Sequence, residues 1–185
     1  MNFELHRTPL QDLFVLERRV LKDERGSFSR LFCQAELAEF GWNCAAVQSN
    51  ISTNTQIGTI RGMHFQRTPH QEIKLVTCIA GAVFDVAVDM RKTSETFGQW
   101  FGAELSAANN KCLLIPRGFA HGFQVLEANS SLIYYHSAAY VPASESGVRW
   151  NDEVLDIQWP LAVTNISTRD KDLPSFADYQ DGPQL

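Results

Sequence analysis

The sequence predicts a mainly β protein, an antiparallel sandwich or barrel with a few short helices. Two observations carry this. Short apolar runs alternate with a period of two residues, and turn residues interrupt them at brief intervals. Many short strands with brief connections pack most simply as two antiparallel layers or a closed barrel. The 185 residues suit one domain spanning 1–185, and no internal repeat or long Pro/Gly/Ser linker divides them.

Taken in order, strands are expected over residues 14–21, 58–66, 73–79, 83–90, 98–105, 112–115, 122–126 and 132–136. A helix is predicted near residues 34–40, and a second after Ser106, a residue of capping type. Gly81 stands between two apolar runs and reads as a hairpin turn. The polar tail 168–185, with Pro174 and Pro183, is expected to wrap the barrel as short helical turns and loop.

Composition narrows the partners. Hydrophobic residues make up 44% and the net charge is −5, which gives little support to a general nucleic-acid or membrane-surface role. No apolar stretch approaches the roughly 20 residues of a membrane helix, and MNFELHRTPL lacks the apolar core of a signal peptide. A cytoplasmic location is the resulting expectation. Cys33, Cys44, Cys78 and Cys112 form no Cys-x-x-Cys pair and read as buried free thiols rather than a zinc site.

Alternation also sorts side chains by face. Lys74 shares a face with Val76 and Cys78, and Asp85 with Val83 and Ala87. An inward lysine and aspartate on adjacent strands are costly unless they pair or meet a polar ligand; the plainer alternative is a solvated sheet face. In GTIRGMHFQ a flat strand would turn Arg61 and His64 to opposite sides. A bulge at Gly62 would shift the phase and bring both into one cavity; the plainer alternative leaves Arg61 on the outer face. The other distinctive histidine, His121, lies in IPRGFAHGF. Either one, taken alone, is more often a hydrogen-bonded structural residue than a catalyst.

The Pro-x-Gly-x-x-His spacing around His121 resembles the second motif of cupins, small barrels that often bind a metal. The first cupin motif would need His-x-His followed by glutamate, whereas this chain reads His64-Phe65-Gln66. The three- or four-ligand set is therefore broken, and a cupin-like jelly-roll barrel without a metal is expected.

RGMHFQ, KLVTCIAGAVFDVAVDMR, TFGQWFGAELSA, IPRGFAHGFQVL and SGVRWND, in this order, resemble the dTDP-4-dehydrorhamnose 3,5-epimerase family over nearly the whole chain. The resemblance implies a homodimer acting without cofactor on a nucleotide-linked 4-keto-6-deoxyhexose, for deoxysugar and surface-polysaccharide synthesis. Protons beside a ketone are weakly acidic, and their removal needs a base of near-neutral pKa. The resemblance places that base on His64, its orienting carboxylate on Asp170, the cation for the enolate on Lys74 and the acid on Tyr134. The register with Tyr140-Val141-Pro142 selects Tyr134 over Tyr135. It also places Arg61, Asn50 and Gln48 near the diphosphate, and His121 and Asp85 near the sugar. Tyr140 falls on an aromatic stacked on the base, and Glu145 and Arg169 on further ligand contacts. Arg25 and Phe28, in DERGSF, correspond to residues that reach the site across the dimer interface, so the N-terminal segment is expected to pack on a partner. The chain departs from the family at Arg30, where a glutamate is usual, and at Tyr135-His136. The alternatives are an epimerase of a CDP- or GDP-linked 4-keto sugar, a metal-dependent cupin enzyme, and a catalytically silent sugar-binding barrel.

Overall fold

Period-two alternation builds the core of the molecule. The computed structural model, which describes residues 1–180, contains thirteen strands. These are β1 (Phe3–Arg7), β2 (Phe14–Arg18), β3 (Val20–Asp23), β4 (Gly26–Ser29), β5 (Gln48–Asn54), β6 (Ile60–Gln66) and β7 (Lys74–Ala80). The rest are β8 (Ala82–Asp89), β9 (Trp100–Ser106), β10 (Lys111–Ile115), β11 (Phe119–Val125), β12 (Ser130–His136) and β13 (Glu145–Gly147). Two sheets face each other, in the orders β1-β2-β10-β7-β12-β5 and β13-β6-β11-β8-β9, and β3 and β4 form a separate hairpin. All strand pairs are antiparallel, as a jelly-roll barrel requires.

Inward residues of both sheets form the central core, with Val76, Cys78, Leu113 and Leu132 meeting Val83, Ala87, Leu105 and Phe123. Each sheet also buries part of its outer face. The helical segment α1 (Gln34–Leu37), continued by a 3-10 turn over Ala38–Phe40, brings Leu37 and Trp42 onto Leu16, Leu75 and Leu114. The C-terminal segment lays Leu155, Ile157 and Phe176 on Met63, Val86 and Val88. Its helical turns are α2 (Thr168–Lys171) and α3 (Ala177–Gln180). The part of the expected tail beyond residue 180, with Pro183, lies outside the described residues.

Four expectations change. Gly81 does not turn a hairpin, because β7 pairs with β10 and β12 whereas β8 pairs with β11 and β9. The chain instead crosses there from one sheet to the other, with Gly81 at φ +67° and no room for a Cβ beside Ser130. Lys74 and Asp85 thus stand on facing sheets, not adjacent strands. Ser106 opens no helix: its hydroxyl accepts from the Asn109 amide as a cap would (3.1 Å), but Asn110 at φ +56° turns the chain into β10. All four cysteines are free, yet Cys33 and Cys44 are half-buried and only Cys78 and Cys112 are buried.

The bulge does form. Opposite β11, His64 pairs with His121 and Arg61 with Phe123, so β6 spends one extra residue between them. Gly62 sits there at φ +116°, and a Cβ would lie 2.6 Å from the Gly122 Cα and 2.7 Å from the His121 carbonyl oxygen. Gly62→Ala should therefore destabilise the fold by at least about 2 kcal/mol, from backbone strain and overpacking together. Urea unfolding of wild type and variant measures this.

Candidate active site

One cavity of about 800 Å³ opens between the two sheets and is lined by residues of both. From the five-stranded sheet come Arg61, His64 and His121, and from the six-stranded sheet Asn50, Lys74, Tyr134 and His136. The extra residue at Gly62 is what lets Arg61 and His64 share this space.

His64 Nε2 lies 2.8 Å from Asp170 Oδ1, and the other carboxylate oxygen accepts from the Gly62 amide at 3.1 Å. Asp170 is buried on α2, where its own amide is capped by the Ser167 hydroxyl. Burial pushes the Asp170 carboxyl up, but the hydrogen bond and charge of His64, with the Gly62 N–H, bring it below its ordinary value. An ionised carboxylate on Nε2–H leaves Nδ1 as the basic nitrogen of the ring.

Tyr134 faces His64 from the opposite sheet. Its ring lies edge-on to His121 with centroids 6.1 Å apart. Burial, helped by the negative charge of Asp85, pushes the phenol well above its ordinary pKa. Tyr135 points the other way, stacked on Phe32 at 5.1 Å among the outer-face residues. The alternation of β12 therefore decides between the two tyrosines.

Lys74 is buried, with Nζ 3.1 Å from Glu72 Oε1 and donating to the His64 carbonyl oxygen at 3.2 Å. Burial pushes Glu72 up, but His136 and Lys74 overcome it and hold the carboxyl at about 2. Asp85, fully buried behind the cavity wall, pairs through Oδ1 with His121 Nε2 at 2.8 Å. Its second oxygen has no hydrogen-bond partner among the described residues.

The remaining predicted residues divide into two groups. Gln48, Asn50, Tyr140, Glu145 and Arg169 line the cavity. Arg169 pairs with Glu145, which also accepts from the Tyr140 hydroxyl at 2.6 Å. Arg61 donates to Asn54 at 2.7 Å. Arg25 and Phe28 are not in this chain's cavity; they stand on the β3–β4 hairpin, Arg25 paired with Asp23 and Phe28 70% exposed. Arg30 is paired with Glu36, away from the cavity lining. Sequence reasoning missed Glu72, Gln66 and His136, all of which line the cavity. The alternation that places Tyr134 inward also places His136 inward, and this was the available signal. Among the described residues, His, Cys, Asp and Glu side chains do not gather in threes as a metal site would require.

Residues 7–178 match the family model described as dTDP-4-dehydrorhamnose 3,5-epimerase. The dTDP-4-dehydrorhamnose 3,5-epimerase of Shigella flexneri is 42% identical over 173 residues, 93% of this chain and 95% of that one. The crystal structure of the enzyme of that name from Elizabethkingia anophelis superposes with a TM-score of 0.90 at 40% identity, covering 96% of this chain and 98% of the other. A dTDP-6-deoxy-D-glucose-3,5-epimerase from Legionella pneumophila, solved in complex with dTDP-4-keto-L-rhamnose, gives a TM-score of 0.91 at 37% identity. That match covers 99% of this chain and 100% of the other. With its cupin-like barrel and with near end-to-end similarity to these enzymes, the chain belongs to the dTDP-4-dehydrorhamnose 3,5-epimerase family.

Proposed function

We propose that this protein epimerises a dTDP-linked 4-keto-6-deoxyhexose, converting dTDP-4-dehydro-6-deoxy-D-glucose to dTDP-4-dehydro-L-rhamnose. The observation that carries the reading is the placement of His64 and Tyr134 on facing sheets, across one cavity, with the Lys74 ammonium beside them. Inversion needs a base on one face of the sugar ring and a proton donor on the other.

His64 takes the proton from the carbon beside the ketone, and Asp170 stabilises the resulting imidazolium. Charge then builds on the ketone oxygen, where the buried Lys74 supplies a fixed cation. Tyr134 returns a proton from the opposite side. A phenol whose pKa is raised stays protonated until it meets a strongly basic centre, and an enolate carbon is one. Arg61, Gln48 and Asn50 fit the diphosphate end, and Tyr140 the base.

The active unit we infer is a homodimer working in the cytoplasm in deoxysugar and polysaccharide synthesis. Phe28 and Leu21 are cross-strand partners on the β3–β4 hairpin, and both are exposed. Exposed apolar pairs of this kind fit a protein partner, and the same hairpin would carry Arg25 to a neighbouring cavity. Among the described residues, no helix is long and apolar enough to cross a membrane.

Isotope exchange tests the chemistry. In deuterated water with dTDP-4-keto-6-deoxyglucose, wild type should place deuterium at C3 and C5; exchange only with the CDP- or GDP-linked sugar would favour the other nucleotide. His64→Ala should lower exchange by about 100- to 10,000-fold while dTDP binding, followed by calorimetry, persists. Lys74→Ala should cost about 100- to 1,000-fold in kcat. Tyr134→Phe should slow inversion yet leave measurable exchange, because His64 still removes and returns a proton on its own face; wild-type inversion by this variant would remove Tyr134 as the acid. Phe28→Asp should weaken assembly by about 2 kcal/mol or more in sedimentation experiments, with turnover falling as the dimer dissociates. A fully active monomer would overturn the shared site.

A further inference from the structure

Resting on the epimerase reading, we infer that His136 is a positioning residue that ties the enolate-stabilising Lys74 to the amide pair Gln48 and Asn50 at the binding end of the cavity. It stands two residues after Tyr134 on the inward face of β12, its ring stacked against the Tyr134 ring at 6.1 Å with planes 19° apart. Its register partner on β7 is Lys74 and on β5 is Gln48, so it sits where the two ends of the cavity meet.

A directional row of contacts runs through it. The Tyr140 amide, which can only donate, donates to Gln48 Oε1 at 3.0 Å. Gln48 Nε2 is thereby turned toward Asn50 Oδ1, to which it donates at 3.3 Å. Asn50 Nδ2 in turn faces His136 Nε2 at 3.4 Å. At the far end, His136 Nδ1 faces Glu72 Oε2 at 3.6 Å, and a carboxylate can only accept. Both ends fix one polarity, with the proton on Nδ1 and Nε2 open to the Asn50 amide.

Glu72 is the link to chemistry. One of its oxygens holds Lys74 at 3.1 Å, while the other is held by His136 and by Gln66 Nε2 at 2.8 Å. The carboxylate thus divides its charge among Lys74, His136 and Gln66 instead of giving it to the ammonium alone. Without His136, Gln66 alone holds that oxygen, and more of the Glu72 charge falls on Lys74 and blunts its use. The Asn50 amide loses its partner at the same time, and nucleotide binding weakens.

Two conservative substitutions separate the ends. Asparagine places an amide nitrogen near the position of Nδ1, and glutamine places its amide near Nε2. His136→Asn keeps the contact to Glu72 and drops Asn50; KM should rise about tenfold with kcat within about threefold of wild type. His136→Gln keeps Asn50 and drops Glu72; kcat should fall about tenfold with KM and dTDP affinity little changed. His136→Phe keeps the ring stack and loses both, so both parameters should move. Wild-type kinetics in His136→Phe, or the Asn and Gln variants shifting the same parameter, would overturn the inference. Melting temperatures are measured alongside; if the Phe variant fails to fold, the Asn and Gln pair still decides. Wild-type turnover and solvent exchange are measured first. Their absence would sink the epimerase reading itself, whereas an active wild type with an indifferent His136 sinks only this inference.

Discussion

The buried carboxylate of Asp170 holds the catalytic end of the molecule together. One oxygen takes the ring of His64 and the other the amide of Gly62, the residue that creates the bulge. A single anion therefore fixes the His64 ring and the backbone irregularity that aims it. Desolvation works against such a charge, and it is tolerated only because both oxygens are satisfied. The arrangement also fastens the C-terminal segment to the barrel, next to the backbone pair that Met63 and Val148 exchange at 3.1 and 3.2 Å.

Around this point the cavity is a balance of buried charges. Glu72, Asp85 and Asp170 each face a lysine or histidine at the wall. Lys74 is restrained but still bonded on one side to a neutral carbonyl. Such a site suits a reaction in which negative charge appears and disappears on one oxygen, because little must reorganise as it does.

Much of this was legible in the sequence. Alternation alone put Lys74 and Asp85 on the inward face, and Gly62 marked where a bulge would bring Arg61 and His64 together. What sequence pattern could not give was pairing between distant strands. Gly81 has the look of a hairpin residue because local chemistry is the same whether the chain folds back in one sheet or crosses to another. Ser106 makes a cap-like bond that serves a turn as well as a helix. Glu72 and His136 meet only because β7 and β12 are neighbours in a particular register, and no local signal encodes that. Asp170 was reached through family resemblance, since nothing in a polar tail marks which carboxylate will be buried.

The supply of that carboxylate from the tail has a consequence for how the protein comes to life. Barrel strands through β13 end at Gly147, whereas Asp170 follows more than a score of residues later. In N-to-C order the strands that enclose the cavity are thus all synthesised before the residue that anchors the imidazole. Among the described residues, Asp170 is the last of the cavity wall that synthesis supplies.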